Sequence, residues 1–171
     1  MSENKHILYA PIRKKYINSD TKKKSKNPKT CIFCNPSKKE IIVESKTCFV
    51  QANKYPYSTG HVLVIPKRHV NTIIDLTSKE KQELFNLIDM MVYALKLYIK
   101  PDGYNIGCSV GKVAGESISH LHFHVLPRFE GDVGWARIFD FEILSTLPEE
   151  FAASLKEVVI KNKLKKKFDI S

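Results

Sequence analysis

The sequence predicts an α+β fold, a mainly antiparallel sheet with one long helix and a C-terminal helix, and three observations carry that expectation. Short β-rich runs occur at Ile41-Ile42-Val43, Thr47 to Ala52 and His61 to Ile65, then again at Tyr104 to Val110 and His120 to Leu126. A stretch with helical apolar period separates the third run from the fourth, and another lies near the C-terminus. The resulting order, β-β-β-α-β-β-α, points to strands that pair largely with antiparallel neighbours.

Each element has local signals. Asn53 to Gly60 contains Pro56 and ends in glycine, so it reads as a connecting loop, and Pro66 closes the apolar run His61 to Ile65. Thr77-Ser78-Lys79-Glu80 is a capping box, with threonine at the cap and glutamate three residues on. Leu84, Ile88, Met91, Leu95 and Tyr98 then recur at spacings of four and three, and Pro101-Asp102-Gly103 ends the helix. The last helix starts near Thr146-Leu147-Pro148-Glu149 and turns Phe151, Leu155 and Val158 to one side.

The chain is 171 residues, 43% apolar and 27% charged, which suits one globular domain with a core of its own. We divide it into a basic arm at 1–30, a domain at 31–160 and a basic tail at 161–171. The net charge of +10 is concentrated in Lys14-Lys15, Lys22-Lys23-Lys24 with Lys26, and Lys161 to Lys167. Such runs usually are solvated surface; the other reading is attraction of nucleic acid or polyphosphate. No apolar run reaches the roughly 18 residues of a membrane span, and the N-terminal stretch lacks the apolar segment of a signal peptide, so a cytoplasmic location is expected. Cys48 and Cys108 sit in apolar stretches and read as inert core thiols.

The chemistry concentrates in His120-Leu121-His122-Phe123-His124. Alternation along a strand puts three imidazoles on one face and Leu121, Phe123 and Val125 on the other. A structural strand has little use for three groups that titrate near neutral pH, each with two ring nitrogens to satisfy. The loop Gly111 to Ser117, Gly115 included, precedes them, and its glycines let backbone amides approach an anion, although it lacks the sequence of a P-loop. Cys31-x-x-Cys34 supplies two thiols. No second such pair exists, so histidines must complete any four-ligand metal site, with His69 and His120 the preferred candidates. On these residues alone a redox dithiol competes with a metal.

The His-φ-His-φ-His-φ-φ pattern of His120 to Leu126, with Pro127-Arg128 after it, resembles the histidine-triad (HIT) superfamily of nucleotide hydrolases and transferases. Leu8 to Arg13 with Tyr16-Ile17, the Cys31-Ile32-Phe33-Cys34 knuckle, Asn53 to Tyr57, Gly60 to Pro66 and Gly131-Asp132 look like its bacterial branch, related to diadenosine tetraphosphate phosphorylases and hydrolases. The resemblance implies a HIT-like fold and a covalent nucleotidyl-histidine on His122. It implies that His124 contacts the phosphates or leaving group, that His61, Ser117 and loop amides stabilise charge, and that Asn53 meets the ribose. It also implies structural zinc on Cys31, Cys34, His69 and His120.

Two residues depart from the family pattern. Ser109 stands where relatives commonly carry Gln or Asn facing the phosphates, and Glu116 replaces a frequent Gln, which bears on whether water or phosphate is the acceptor. The substrate expected is a dinucleoside polyphosphate, diadenosine tetraphosphate first. A nucleoside phosphoramidase of the same family and a nucleotide- or RNA-binding module are the alternatives. The resemblance further implies a homodimer near residues 77–99, where Met90, Tyr93 and Tyr98 add apolar area beyond one core stripe.

Overall fold

A computed structural model describes residues 28–132 and 148–167. Most of the N-terminal arm, residues 133–147, which include the expected helix-start residues Thr146 and Leu147, and the end of the basic tail therefore lie outside the described residues. The sheet comprises β1 (Ile41–Glu44), β2 (Cys48–Ala52), β3 (Val62–Pro66), β4 (Gly103–Gly107) and β5 (Phe123–Arg128). Their order is β1-β2-β3-β5-β4, and every pairing is antiparallel. Helix α1 (Ser78–Tyr98) links β3 to β4, and α2 (Pro148–Lys161) and the single turn α3 (Leu164–Lys167) follow β5. Among the described residues no helix is long and apolar enough to cross a membrane.

Strand alternation divides the buried residues into two sets. Cys48, Val50, Ala52, Val62, Val64, Leu121, Phe123 and Val125 join Leu84, Leu87, Ile88, Met91 and Leu95 of α1 in the main core. On the opposite face Phe49, Leu63 and Ile65 pack against Cys31, Phe33 and Ile118. The helices thus fill one side of the sheet and leave the other for the Cys31–Cys34 knuckle and the histidines.

Several expected boundaries shift. Pairing in the histidine strand begins at Phe123 rather than His120, because Leu121 N–H donates to Val70 O (2.6 Å) and draws residues 120–121 toward the segment after β3. The strand predicted to run to Val110 stops at Gly107, where its pairing with His124 ends. Tyr98 is 41% exposed, and Met90, expected to add surface, is fully buried. In α2 the deeply buried side chains are Phe151, Ala152, Leu155 and Val159, while Val158 is only partly covered. Leu164 is buried in the main core, so packing extends past the expected domain end at residue 160.

The start of α1 is fixed by two carboxylates. Glu80 closes the capping box with Thr77, its Oε2 accepting from Thr77 N–H (2.8 Å), and it also pairs with Arg68 (2.8 Å). Glu83 Oε2 accepts from Ser45 Oγ (2.6 Å), Thr47 N–H (2.8 Å) and Thr47 Oγ1 (2.7 Å), tying the helix to the β1–β2 turn. The Arg68 hydrogen bonds, outweighing burial and aided by Thr77, hold the Glu80 carboxyl at about 2 against an ordinary 4.5. A depressed acid stabilises the fold above its unfolded pKa, and that contribution is lost as pH falls from 4.5 through about 2. Glu80→Gln is expected to cost about 2–3 kcal/mol at neutral pH, with the gap to the parent closing across that acid window in urea titrations. A gap independent of pH would show that the charge contributes nothing.

Gly60 sets the entry to β3. It has φ +88°, and a Cβ there would lie 2.7 Å from Ile99 Cδ1 and 3.0 Å from Pro127 Cγ. Glycine supplies both the left-handed backbone and the clearance that let the chain pass the end of α1 as it enters β3.

Candidate active site

The three alternate histidines occupy the face opposite the helices, as their spacing requires, and each ring has a different task. His122 is 5% exposed, and its Nδ1–H donates to His120 O (2.8 Å). The carbonyl fixes the tautomer and leaves Nε2 with a free lone pair. Burial pushes its pKa down, against smaller upward pulls from that hydrogen bond and from Glu116, so the ring is held neutral. Phe33 packs on it with centroids 5.0 Å apart.

His124 is oriented through a chain of donors. Tyr57 N–H donates to His61 Nδ1 (3.1 Å), which places the His61 proton on Nε2. That proton is given to His124 Nδ1 (2.8 Å), and His124 therefore carries its own proton on Nε2. Asn53 Nδ2 also reaches His61 Nδ1 (3.0 Å), and Asn53 Oδ1 accepts from Tyr55 N–H (3.0 Å), so the loop after β2 braces the pair. The rings of His122 and His124 lie 4.9 Å apart. A neutral ring with an unprotonated nitrogen thus stands beside an N–H donor.

His120 faces away from this pair. Its Nε2–H donates to Pro66 O (2.9 Å), leaving Nδ1 3.4 Å from Cys31 Sγ and 3.6 Å from Cys34 Sγ. His69 Nδ1 is 3.2 Å from Cys34 Sγ. Ligand atoms of Cys31, Cys34, His69 and His120 all lie within 4.8 Å of one another, a cluster able to hold a metal ion. Burial moves His120 down to about 4, so its ring is neutral and ready to ligate. Burial first, then neighbouring Cys31, pushes Cys34 up to about 11; a bound cation would have to displace its proton. Cys48 is likewise raised to about 11 by burial and Cys108 is raised by the same cause, which suits inert thiols.

A cleft of about 320 Å³ is lined by His122, His124 and Ser117 together with Asn53, Gln51 and Ile32. Ser109, Gly115 and Glu116 are not among its lining residues. Glu116 Oε2 instead accepts from Gly111 N–H (2.6 Å) and closes the base of its own loop. Gly111 (φ +87°) and Gly115 (φ +89°) flank a short 3₁₀ turn, Lys112–Ala114, in that loop. Two participants escaped the sequence reading. Gln51 reads from sequence only as a polar residue within a strand, and the amide of Tyr57 has no side-chain signal at all.

A five-stranded antiparallel sheet that presents alternate histidines to a cleft, with helices on its reverse side, defines a histidine-triad architecture. The HIT domain family model matches residues 35–131, and the chain belongs to that family. It is 36% identical over 99 residues to the AP-4-A phosphorylase of Mycobacterium tuberculosis; the match covers 57% of this chain and 51% of the phosphorylase, so the chain spans about half the length of that relative. It is 32% identical over 135 residues to the adenosine 5'-monophosphoramidase HNT1 of Saccharomyces cerevisiae, covering 74% of this chain and 83% of that one. Among solved structures, a Zn-bound histidine triad family protein from Mycobacterium smegmatis superposes with TM-score 0.67 at 25% identity, over 80% of this chain and 98% of the other.

Proposed function

We propose that the protein is an enzyme that cleaves dinucleoside polyphosphates, diadenosine tetraphosphate foremost, at the α-phosphorus through a covalent intermediate on His122. The carrying observation is the His122 tautomer, with Nδ1 committed to a carbonyl and Nε2 unprotonated in a ring that lines the cleft. Nε2 attacks phosphorus and the bond to the polyphosphate leaving group breaks; a neutral nucleophile avoids repulsion by the phosphate oxygens. The Nε2–H of His124 donates to the departing oxygen, and Ser117 stabilises the developing charge. Water or inorganic phosphate then attacks phosphorus, breaks the P–N bond and returns Nε2 to its free state. The phosphorylase relative supports the substrate class.

The acceptor decides the products. With saturating phosphate in oxygen-18 water, phosphorolysis yields ADP and ATP without solvent label, whereas hydrolysis yields ATP and labelled AMP. Either pair is the expected result. Cleavage of nucleoside phosphoramidates with no action on polyphosphates would replace this reading with the activity named in the yeast relative. Unchanged nucleotide with strongly salt-sensitive retention would indicate a binding module instead.

The metal assigned to the cysteine–histidine cluster is zinc, held by Cys31, Cys34, His69 and His120. Three sulfur–nitrogen separations in the cluster are 3.2 to 3.6 Å and all four ligand atoms lie within 4.8 Å of one another, a donor set of two thiols and two imidazoles that would suit zinc. These four residues would fill the ion's coordination, so it would brace the fold and take no part in the reaction. We extend the reading to a cytoplasmic setting, which would keep such thiols reduced and which cell fractionation tests. We also extend it to a homodimer along α1, where Phe85, Leu97 and Tyr98 are 55%, 40% and 41% exposed. Light scattering should return twice the chain mass at micromolar concentration, and a monomer would dismiss the dimer.

A further inference from the structure

We propose that Gln51 reads the base of the bound nucleotide and selects a 6-aminopurine, adenine, through its side-chain amide; this rests on the nucleotide reading above. Gln51 sits in β2 with 5% exposure and lines the cleft. Its Oε1 is buried and has no hydrogen-bond partner among the described residues. An apolar side chain of similar size would remove the cost of that unpaired oxygen. The amide is therefore poised for a ligand.

Strand register fixes its distance from the chemistry. Gln51 pairs with Leu63, and Leu63 pairs with His124, so the three side chains form one row across neighbouring strands. Two strand spacings put Gln51 roughly 10 Å from His124. A nucleotide with its α-phosphate at the histidines and its ribose toward Asn53 would carry its base to Gln51. The surrounding walls, Ile32, Phe33, Leu63 and Ile118, are apolar and suit a flat ring.

The amide offers an acceptor and a donor side by side, the pattern that pairs with the adjacent amine and ring nitrogen of adenine. Because Oε1 can only accept, its missing partner is a donor, and the exocyclic amine is the donor that projects furthest from the ring. A 6-oxopurine brings an acceptor to the same point.

Calorimetric titration of the full chain and Gln51→Leu with AMP, purine riboside 5'-monophosphate (AMP without the amine) and GMP tests this. For the parent chain, AMP should bind about tenfold or more tighter than either of the others. Gln51→Leu should bring AMP and the deamino analogue within about twofold, with the deamino nucleotide bound as well as before and a melting temperature equal or higher. No preference in the parent chain, a preference that survives in Gln51→Leu, or GMP binding that equals AMP would each overturn the proposal. The expected affinity ratios without any cleavage of diadenosine tetraphosphate would support base selection while defeating the enzymatic reading. Absence of binding by all three nucleotides would overturn both.

Discussion

Alanine in place of His122 is expected to reduce cleavage of diadenosine tetraphosphate by about 10³-fold or more while the chain still folds. The ring supplies an unprotonated nitrogen beside the His124 donor in this cleft, and its loss removes the proposed covalent route. The stability penalty should be modest, on the order of 1–3 kcal/mol, since the missing imidazole lines a cleft as well as packing on Phe33. Steady-state rates and thermal melting on the same preparation separate the two effects. His122→Gly supplemented with imidazole should recover part of the rate, because the small molecule fits the vacated space. An active His122→Ala chain, or a nucleotide adduct trapped on His124, would reverse the assignment of roles.

Serine at position 31 should abolish metal retention and lower the melting temperature by about 10 °C, the shift expected when a few kcal/mol are lost from a chain of this size. Cys31 and Phe33 belong to the small cluster that covers the histidine face, so release of the knuckle uncovers Phe49, Leu63 and Ile65 as well. Metal analysis of protein purified without added zinc should return about one ion per parent chain and none for Cys31→Ser. Below its new melting point the variant should keep a substantial rate, since no step passes through the ion. A stoichiometric Cys31–Cys34 disulfide in metal-free parent protein would favour the redox alternative.

Much of this site is legible in the linear sequence because its spacing is physical. Period two alone assigns His122 and His124 to one face and Phe123 to the other, and the structure agrees. One cysteine pair asks for histidine partners, the family resemblance picks His69 and His120 from among the histidines, and the structure brings these four residues together. What stayed hidden depends on long-range register or on backbone atoms. Nothing local shows that Tyr57 N–H sets the His61 tautomer, or that Leu121 gives its N–H to Val70 and so shortens the strand. Glu116 reads as a free anion beside the phosphates, yet its carboxylate is held by Gly111 N–H within the same loop. Glu83 likewise looks like an ordinary surface charge until the β1–β2 turn folds over it.

The division of the sheet into two faces gives residue parity a meaning for variation. In β2 and β3 the even-numbered positions 48, 50, 52, 62 and 64 face the helices, while the odd-numbered 49, 63 and 65 face the knuckle and cleft, with Gln51 lining the cleft itself. In the histidine segment the parity inverts, with 121, 123 and 125 toward the helices and 122 and 124 toward the cleft. Substitutions in the first class, and at the buried Phe49 and Ile65, change how much folded protein a cell holds; those at the cleft-lining 51, 122 and 124 change what the folded protein accepts. Within β2, abundance is therefore carried by four of the five positions and selectivity by Gln51, so a library confined to position 51 would sample one trait with little trespass on the other.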